Sequence, residues 1–135
     1  MNPESNANKD QNQGYIIIKA STARGAIPLE DASVSIRGSS AENSGIIYSL
    51  RTNSDGLTKK IALPAPDRSL SESPGNPFPY SLWNVDVFKE GYAPAYFQNV
   101  PVYSSITSIQ PAILVPIPES FQFVERTNES QAPEL

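Results

Sequence analysis

The sequence predicts an all-β fold, a single seven-stranded β-sandwich, and three observations carry that expectation. Short runs with period-two alternation of apolar and polar residues recur between turn signals, the signature of a sandwich or a barrel. Thirteen prolines interrupt a chain of 135 residues, which favours turn-rich connections over long helices. No long window free of proline and glycine keeps helical spacing. The length suits one domain with a single modest core.

The strands follow in order. Tyr15 to Ala20 (YIIIKA) turns Ile16 and Ile18 to one face, with Tyr15, Ile17 and Lys19 on the other. Ser33 to Arg37 (SVSIR) alternates cleanly, Val34 and Ile36 inward. Ile46 to Thr52 (IIYSLRT) and Leu57 to Leu63 (LTKKIAL) flank a turn. Leu82 to Lys89 (LWNVDVFK) directs Trp83, Val85 and Val87 inward. Ala95 to Val100 and Ile109 to Ile117 complete the seven. Pro111 and Pro116 place the last strand at a sheet edge or at bulges, because proline cannot donate to a ladder.

The sandwich is expected over residues 14–118. The segments 1–13 and 119–135 are rich in Asn, Gln, Glu, Ser and Pro, too polar to bury much, and read as a disordered tail and a mobile acidic tail. Within the domain eight acids (Glu30, Asp31, Glu42, Asp55, Asp67, Glu72, Asp86, Glu90) balance eight bases (Lys19, Arg24, Arg37, Arg51, Lys59, Lys60, Arg68, Lys89), so the tails carry the net charge of −4. A neutral domain without a basic stripe gives no support for nucleic-acid or membrane binding. The polar N-terminus shows no signal peptide and no stretch is long enough to span a bilayer, so a cytoplasmic monomer is expected.

The chain has no cysteine and no histidine. That removes disulfides, thiol nucleophiles, cysteine- or histidine-ligated zinc and imidazole acid–base chemistry together. Asn53, Asp55 and Gly56 fit three positions of an EF-hand loop, but Arg51 and Ala62 then fall where the first and the bidentate ligand belong. They are better read as a turn, joining Ile46–Thr52 to Leu57–Leu63 as a hairpin. Glu30 and Asp31 are adjacent and diverge on extended backbone. Asp86 is a lone strand acid, the serines sit in loops without a Ser-x-x-Lys step, and IQPAILVPI offers Lys19 no Asn or Asp for a cross-link. No metal, cofactor or catalytic residue is expected, and the chain is not expected to be an enzyme.

Pro64 to Ser81 (PAPDRSLSESPGNPFPYS) is an eighteen-residue connection with five prolines, and long structured loops are often functional. Pro74, Asn76, Phe78, Tyr80 and Trp83 are therefore the candidate contact residues. Their aromatic rings could stack on a sugar or a peptide.

The steps GAIPLEDASVSI, TNSDGLTKKIALP and NVDVFKEGYAP resemble the carboxypeptidase regulatory-like, transthyretin-like β-sandwich family. LPAPDRSLSESPGNPFPYSLWNVDV together with NVPVYSSITSIQPAILVPIPE looks like the non-catalytic transthyretin-like region of clostridial spore cortex-lytic enzymes and related peptidoglycan-associated proteins. The resemblance implies a Greek-key, prealbumin-like sandwich. It further implies a non-enzymatic accessory interaction module of a bacterial spore-cortex or cell-wall system, spore-associated if not cytoplasmic, with peptidoglycan or a spore or wall protein as partner. The alternative is a structural or pro-region-like module that supports or inhibits a partner enzyme without binding glycan. The Gly-x-Tyr that usually follows Leu-Pro in the broad family is replaced here by the proline-rich loop.

Overall fold

The computed structural model describes residues 12–66 and 80–118. Ten strands run in the order β1 (Gln13–Thr22), β2 (Ile27–Pro28), β3 (Ser33–Gly38), β4 (Ile47–Arg51), β5 (Ile61–Pro64), β6 (Tyr80–Phe88), β7 (Tyr92–Ala93), β8 (Ala95–Tyr103), β9 (Thr107–Ile113) and β10 (Val115–Pro116). Seven are longer than two residues, and each overlaps one of the seven predicted runs. A single turn of 3₁₀ helix, Ala23–Gly25, follows β1.

One sheet runs β4-β3-β6-β8, antiparallel throughout. The other is built on β1, with β9 parallel along one edge and β5 and β2 antiparallel. β10 and β7 form a small third pairing. The chain crosses repeatedly between the two main sheets, which makes the fold a β-sandwich, in the Greek-key form that the resemblance implies. Inward positions meet in one core: Ile16, Ile18 and Ala20 of β1 face the side holding Val34 and Ile36 of β3, Trp83, Val85 and Val87 of β6, and Val100 and Val102 of β8. All but Val34 and Val100 of these are fully buried. At about 1.5–3 kcal/mol for each fully buried large apolar side chain, this burial is the main favourable contribution to folding.

The β9 edge shows why Pro111 is tolerated. Tyr15 N–H donates to the Ile106 carbonyl (2.9 Å), and Leu114 N–H to the Ser21 carbonyl (2.7 Å). In this parallel register the amides of Ser108, Gln110 and Ala112 point to β1, and odd-numbered positions face the side on which no described strand pairs. Pro111 falls on that side, where no ladder bond to a described strand is lost. The predicted run Ile109–Ile117 is broken at Leu114. Beyond it Val115 and Pro116 pair with Ala93 and Tyr92 instead of continuing along β1.

The hairpin expected at Asn53–Gly56 is corrected. β4 belongs to the sheet with β3, whereas β5 pairs with β1, so the turn carries the chain from one sheet to the other. Side chains at both ends fix the switch. Thr52 Oγ1 accepts from Ala32 N–H (2.9 Å) and donates to the Leu29 carbonyl (2.7 Å). Thr58 Oγ1 accepts from Ile18 N–H (3.0 Å), and Thr58 N–H donates to the Ile18 carbonyl (3.0 Å). Leu57 makes only an isolated bridge to Lys19, so the ladder of β5 begins at Ile61. Alternation marks which residues face the core; it does not say which sheet a strand joins.

The turn itself is closed by Asn53, whose Oδ1 accepts from Asp55 N–H (2.9 Å) and Leu57 N–H (3.1 Å). Gly56 sits at φ +79°, and a Cβ there would run into the Ala20 carbonyl, which accepts from Leu29 N–H. Gly56→Ala is expected to lower unfolding free energy by at least about 1–3 kcal/mol, measured by urea denaturation. Gly45→Ala, where no atom lies within 4 Å of an added Cβ, should stay within about 0.5 kcal/mol of the parent.

Candidate functional site

The proline-rich connection leaves the sandwich at the end of β5 and returns at the start of β6. Its two ends are tied together: Ser81 Oγ donates to the Pro64 carbonyl (2.6 Å). The same oxygen accepts from the indole N–H of Trp83 (2.7 Å). A buried indole needs a partner for its one donor, and here that partner is also the clamp at the loop base. Ala65 N–H donates to the Asn12 carbonyl (3.0 Å), which holds the outgoing chain against the start of β1.

The β3–β4 connection forms the facing wall. Asn43 is buried and its side chain is engaged through both its oxygen and its nitrogen. Its Oδ1 accepts from Ser40 N–H (3.0 Å) and Ser40 Oγ (2.9 Å), and its Nδ2 donates to the Leu82 carbonyl (3.1 Å). Gly38 lets this loop fold back closely, since a Cβ there would meet the Asn43 backbone. Ser39 Oγ is buried beside it without a hydrogen-bond partner among the described residues. Between this loop and the ends of β5 and β6 lies an open hollow of about 760 Å³, lined among others by Glu42, Asn43, Ile46, Pro66, Tyr80 and Leu82.

The candidate contact residues divide. Tyr80 stands at the hollow, half-buried, with its ring edge-on to Tyr103 at 5.4 Å between centroids and in register with it. Trp83 is fully buried: it packs the core and presents no face to a ligand, because it lies on the inward side of β6. Pro74, Asn76 and Phe78 lie outside the described residues. Asn53, Asp55 and Gly56 form the sheet-switching turn, away from the hollow's lining.

Other residues weighed for chemistry also find places. Asp86 Oδ2 pairs with Arg37 Nη2 at 2.9 Å, and Asp31 Oδ1 with Arg51 Nη1 at 3.1 Å. Lys60 Nζ lies 4.9 Å from the Tyr15 ring centroid, a cation–π contact. Among the described residues no three acidic side chains gather as a metal site. No described helix is long and apolar enough to cross a membrane. Sequence reasoning missed Ser81 and Asn43, which organise the hollow. Both sit in polar stretches that read as ordinary loop, and nothing local marks their long-range partners.

No family model and no curated protein sequence matches the chain. Among solved structures it is similar to the Bacillus anthracis TIE protein, at 13% identity and TM-score 0.52, covering 78% of this chain and 17% of that one. It is also similar to 3-chlorocatechol 1,2-dioxygenase from Rhodococcus opacus 1CP, at 11% identity and TM-score 0.53, covering 78% of this chain and 60% of that one. The chain thus spans a small part of the first protein and under two thirds of the second. These likenesses carry the β-sandwich fold. The expectation that the chain is not an enzyme is corrected by the second of them: the fold occurs in a dioxygenase chain, so it gives no ground for excluding catalysis.

Removing the loop clamp tests its double role. Ser81→Ala leaves the buried Trp83 N–H without its partner and should cost about 1–3 kcal/mol. Urea unfolding followed by emission of Trp83, the single tryptophan, measures it. Ser81→Thr, which restores a hydroxyl, should recover most of the loss.

Proposed function

We propose that this chain is a binding module of a bacterial cell-wall system, associated with peptidoglycan or with a spore-cortex or wall protein. It engages that partner at the end of the sandwich where residues 64–81 leave and return. The observation that carries the reading is the hollow at the base of that connection. It is roomy, open and lined by mixed polar and apolar groups, with one half-buried tyrosine at its rim. Binding sites of this kind combine an apolar wall with a few placed hydrogen-bonding groups. Glu42 supplies such a group here and Tyr80 an aromatic ring, while Asn43 is spent on shaping the loop.

The resemblance of the proline-rich stretch to the transthyretin-like region of cortex-lytic and peptidoglycan-associated proteins supplies the partner class. Five prolines fall within residues 64–81, and a residue whose φ is fixed by its ring loses less entropy in a complex than a freer one.

Purified protein should sediment with isolated peptidoglycan sacculi. Tyr80→Ala should reduce the bound fraction severalfold, and Tyr80→Phe, which keeps the ring against Tyr103, should retain more of it. Complete absence from the sacculus pellet would overturn the reading for peptidoglycan.

A further inference from the structure

The outward face of the β4-β3-β6-β8 sheet carries an ordered set of side chains that the loop end does not use. In register across all four strands lie Ser49, Ser35, Asp86 and Tyr96. The adjoining row is Arg51, Ser33 and Phe88. The serines are short, so the middle of the face sinks between taller neighbours. A hollow of about 390 Å³ lies there, its walls formed by Ser33, Ser35, Ser49, Arg51, Asp86 and Phe88. At the usual spacing between strands, a row of four spans about 14 Å, the scale of a short oligosaccharide.

Two large aromatics stand at one end of this trough. Phe88 is 54% exposed and Tyr96 68% exposed. Asp86 is opposite Tyr96 and Val87 is opposite Ala95, which makes Phe88 and Tyr96 diagonal neighbours on the same face, close enough for their rings to act together. Both lie on outward parity, so neither belongs to the core. Exposing two such rings side by side next to a hollow is the arrangement that apolar ring faces of a ligand would cover.

The polar groups point to the ligand class. None of the hydroxyls of Ser33, Ser35 and Ser49 is engaged by another described residue. The four charges around the trough cancel in two pairs, Arg37 with Asp86 and Arg51 with Asp31, so the face is neutral. Asp86 uses Oδ2 for Arg37, and its other oxygen is available as an acceptor. β3 and β6 are interior strands whose amides are engaged on both edges, so an extended peptide cannot add here by backbone pairing. A ligand must be read by side chains alone, through hydroxyls, one carboxylate oxygen, guanidinium groups and two ring faces.

The geometry points to a saccharide-binding face: a neutral, extended oligosaccharide lies along the serine trough, its hydroxyls on Ser33, Ser35, Ser49 and Asp86 and one ring stacked on Phe88 and Tyr96. This site lies apart from the hollow at the proline-rich connection and does not rest on that reading.

Titration of the whole protein with cellohexaose and with chitohexaose tests it, by calorimetry and by amide shift mapping. One or both should bind saturably and shift the amides of Ser33, Ser35, Ser49, Phe88 and Tyr96. Tyr96→Ala and Phe88→Ala should each weaken binding about three- to tenfold, the scale of one aromatic contact. Ser35→Phe, which fills the trough, should abolish it; an amide spectrum of each variant confirms that the fold is kept. Absence of saturable binding by both oligosaccharides overturns the proposal. So does binding that is indifferent to Ser35→Phe and Tyr96→Ala, or binding lost on Tyr80→Ala while Tyr96→Ala is silent. Sacculus retention lost in Tyr80→Ala with oligosaccharide binding intact would separate this face from the loop end.

Discussion

The fold depends on one strand being held from both sides. β1 carries β9 in parallel along one edge, while β5, the Gly56–Thr58 segment and β2 follow one another along the other. Its inward residues Ile16, Ile18 and Ala20 are fully buried. The parallel pairing joins segments some ninety positions apart in sequence, so it closes the sandwich and must pay a large loop entropy before it stabilises anything. Side chains reinforce it at its far end, where Thr22 Oγ1 donates to the Leu114 carbonyl (2.8 Å). If β1 were loosened, the start of β1 would no longer hold Ala65, and the second sheet would lose the layer that buries its Trp83, Val85 and Val87.

Both proposed surfaces follow from that closure by different routes. The loop end is built from irregular chain whose buried polar groups are satisfied by specific side chains: Ser81 between Pro64 and Trp83, Asn43 between Ser40 and Leu82. Leaving any of these groups unpaired would cost more than the bond contributes when made, so the hollow keeps its shape only while the clamps are intact. The outward sheet face needs no such clamps. Its rows are fixed by strand register alone, and a slip of one residue would turn the serines inward and Val34 and Ile36 out to solvent. Burial of the core therefore specifies the face opposite it.

Much of this was legible in the residues themselves. SVSIR and LWNVDVF alternate without interruption, and Val34, Ile36, Trp83, Val85 and Val87 occupy the inward positions that alternation assigns them. AYFQNVPVY was harder because a bulge changes its phase. Phe97 lies opposite Val85 and Val100 opposite Trp83, with Asn99 at φ +58° and its N–H held by Asn84 Oδ1 at 3.1 Å. The inward side moves from Ala95 and Phe97 to Val100 and Val102, which no fixed period can express. The turn at Asn53–Gly56 was legible as a turn, but its partners were not, since the threonines that direct Leu57 toward β1 act over long separations. The same holds for Asn43 and Ser81. The outward rows were written in the sequence as the polar half of each alternation; their meeting across four strands required the register.

Residue-resolved native-state hydrogen exchange on β9 tests the closure most directly. Amides of Ser108, Gln110 and Ala112, which the parallel register directs to β1, should exchange only with global unfolding, as should those of Ile16 and Ile18. Amides of Thr107, Ile109 and Ile113, which face no described strand, should exchange far faster. Uniformly fast exchange along β9, or protection of the odd-numbered positions instead of the even ones, would contradict the parallel pairing and the scaffold built on it.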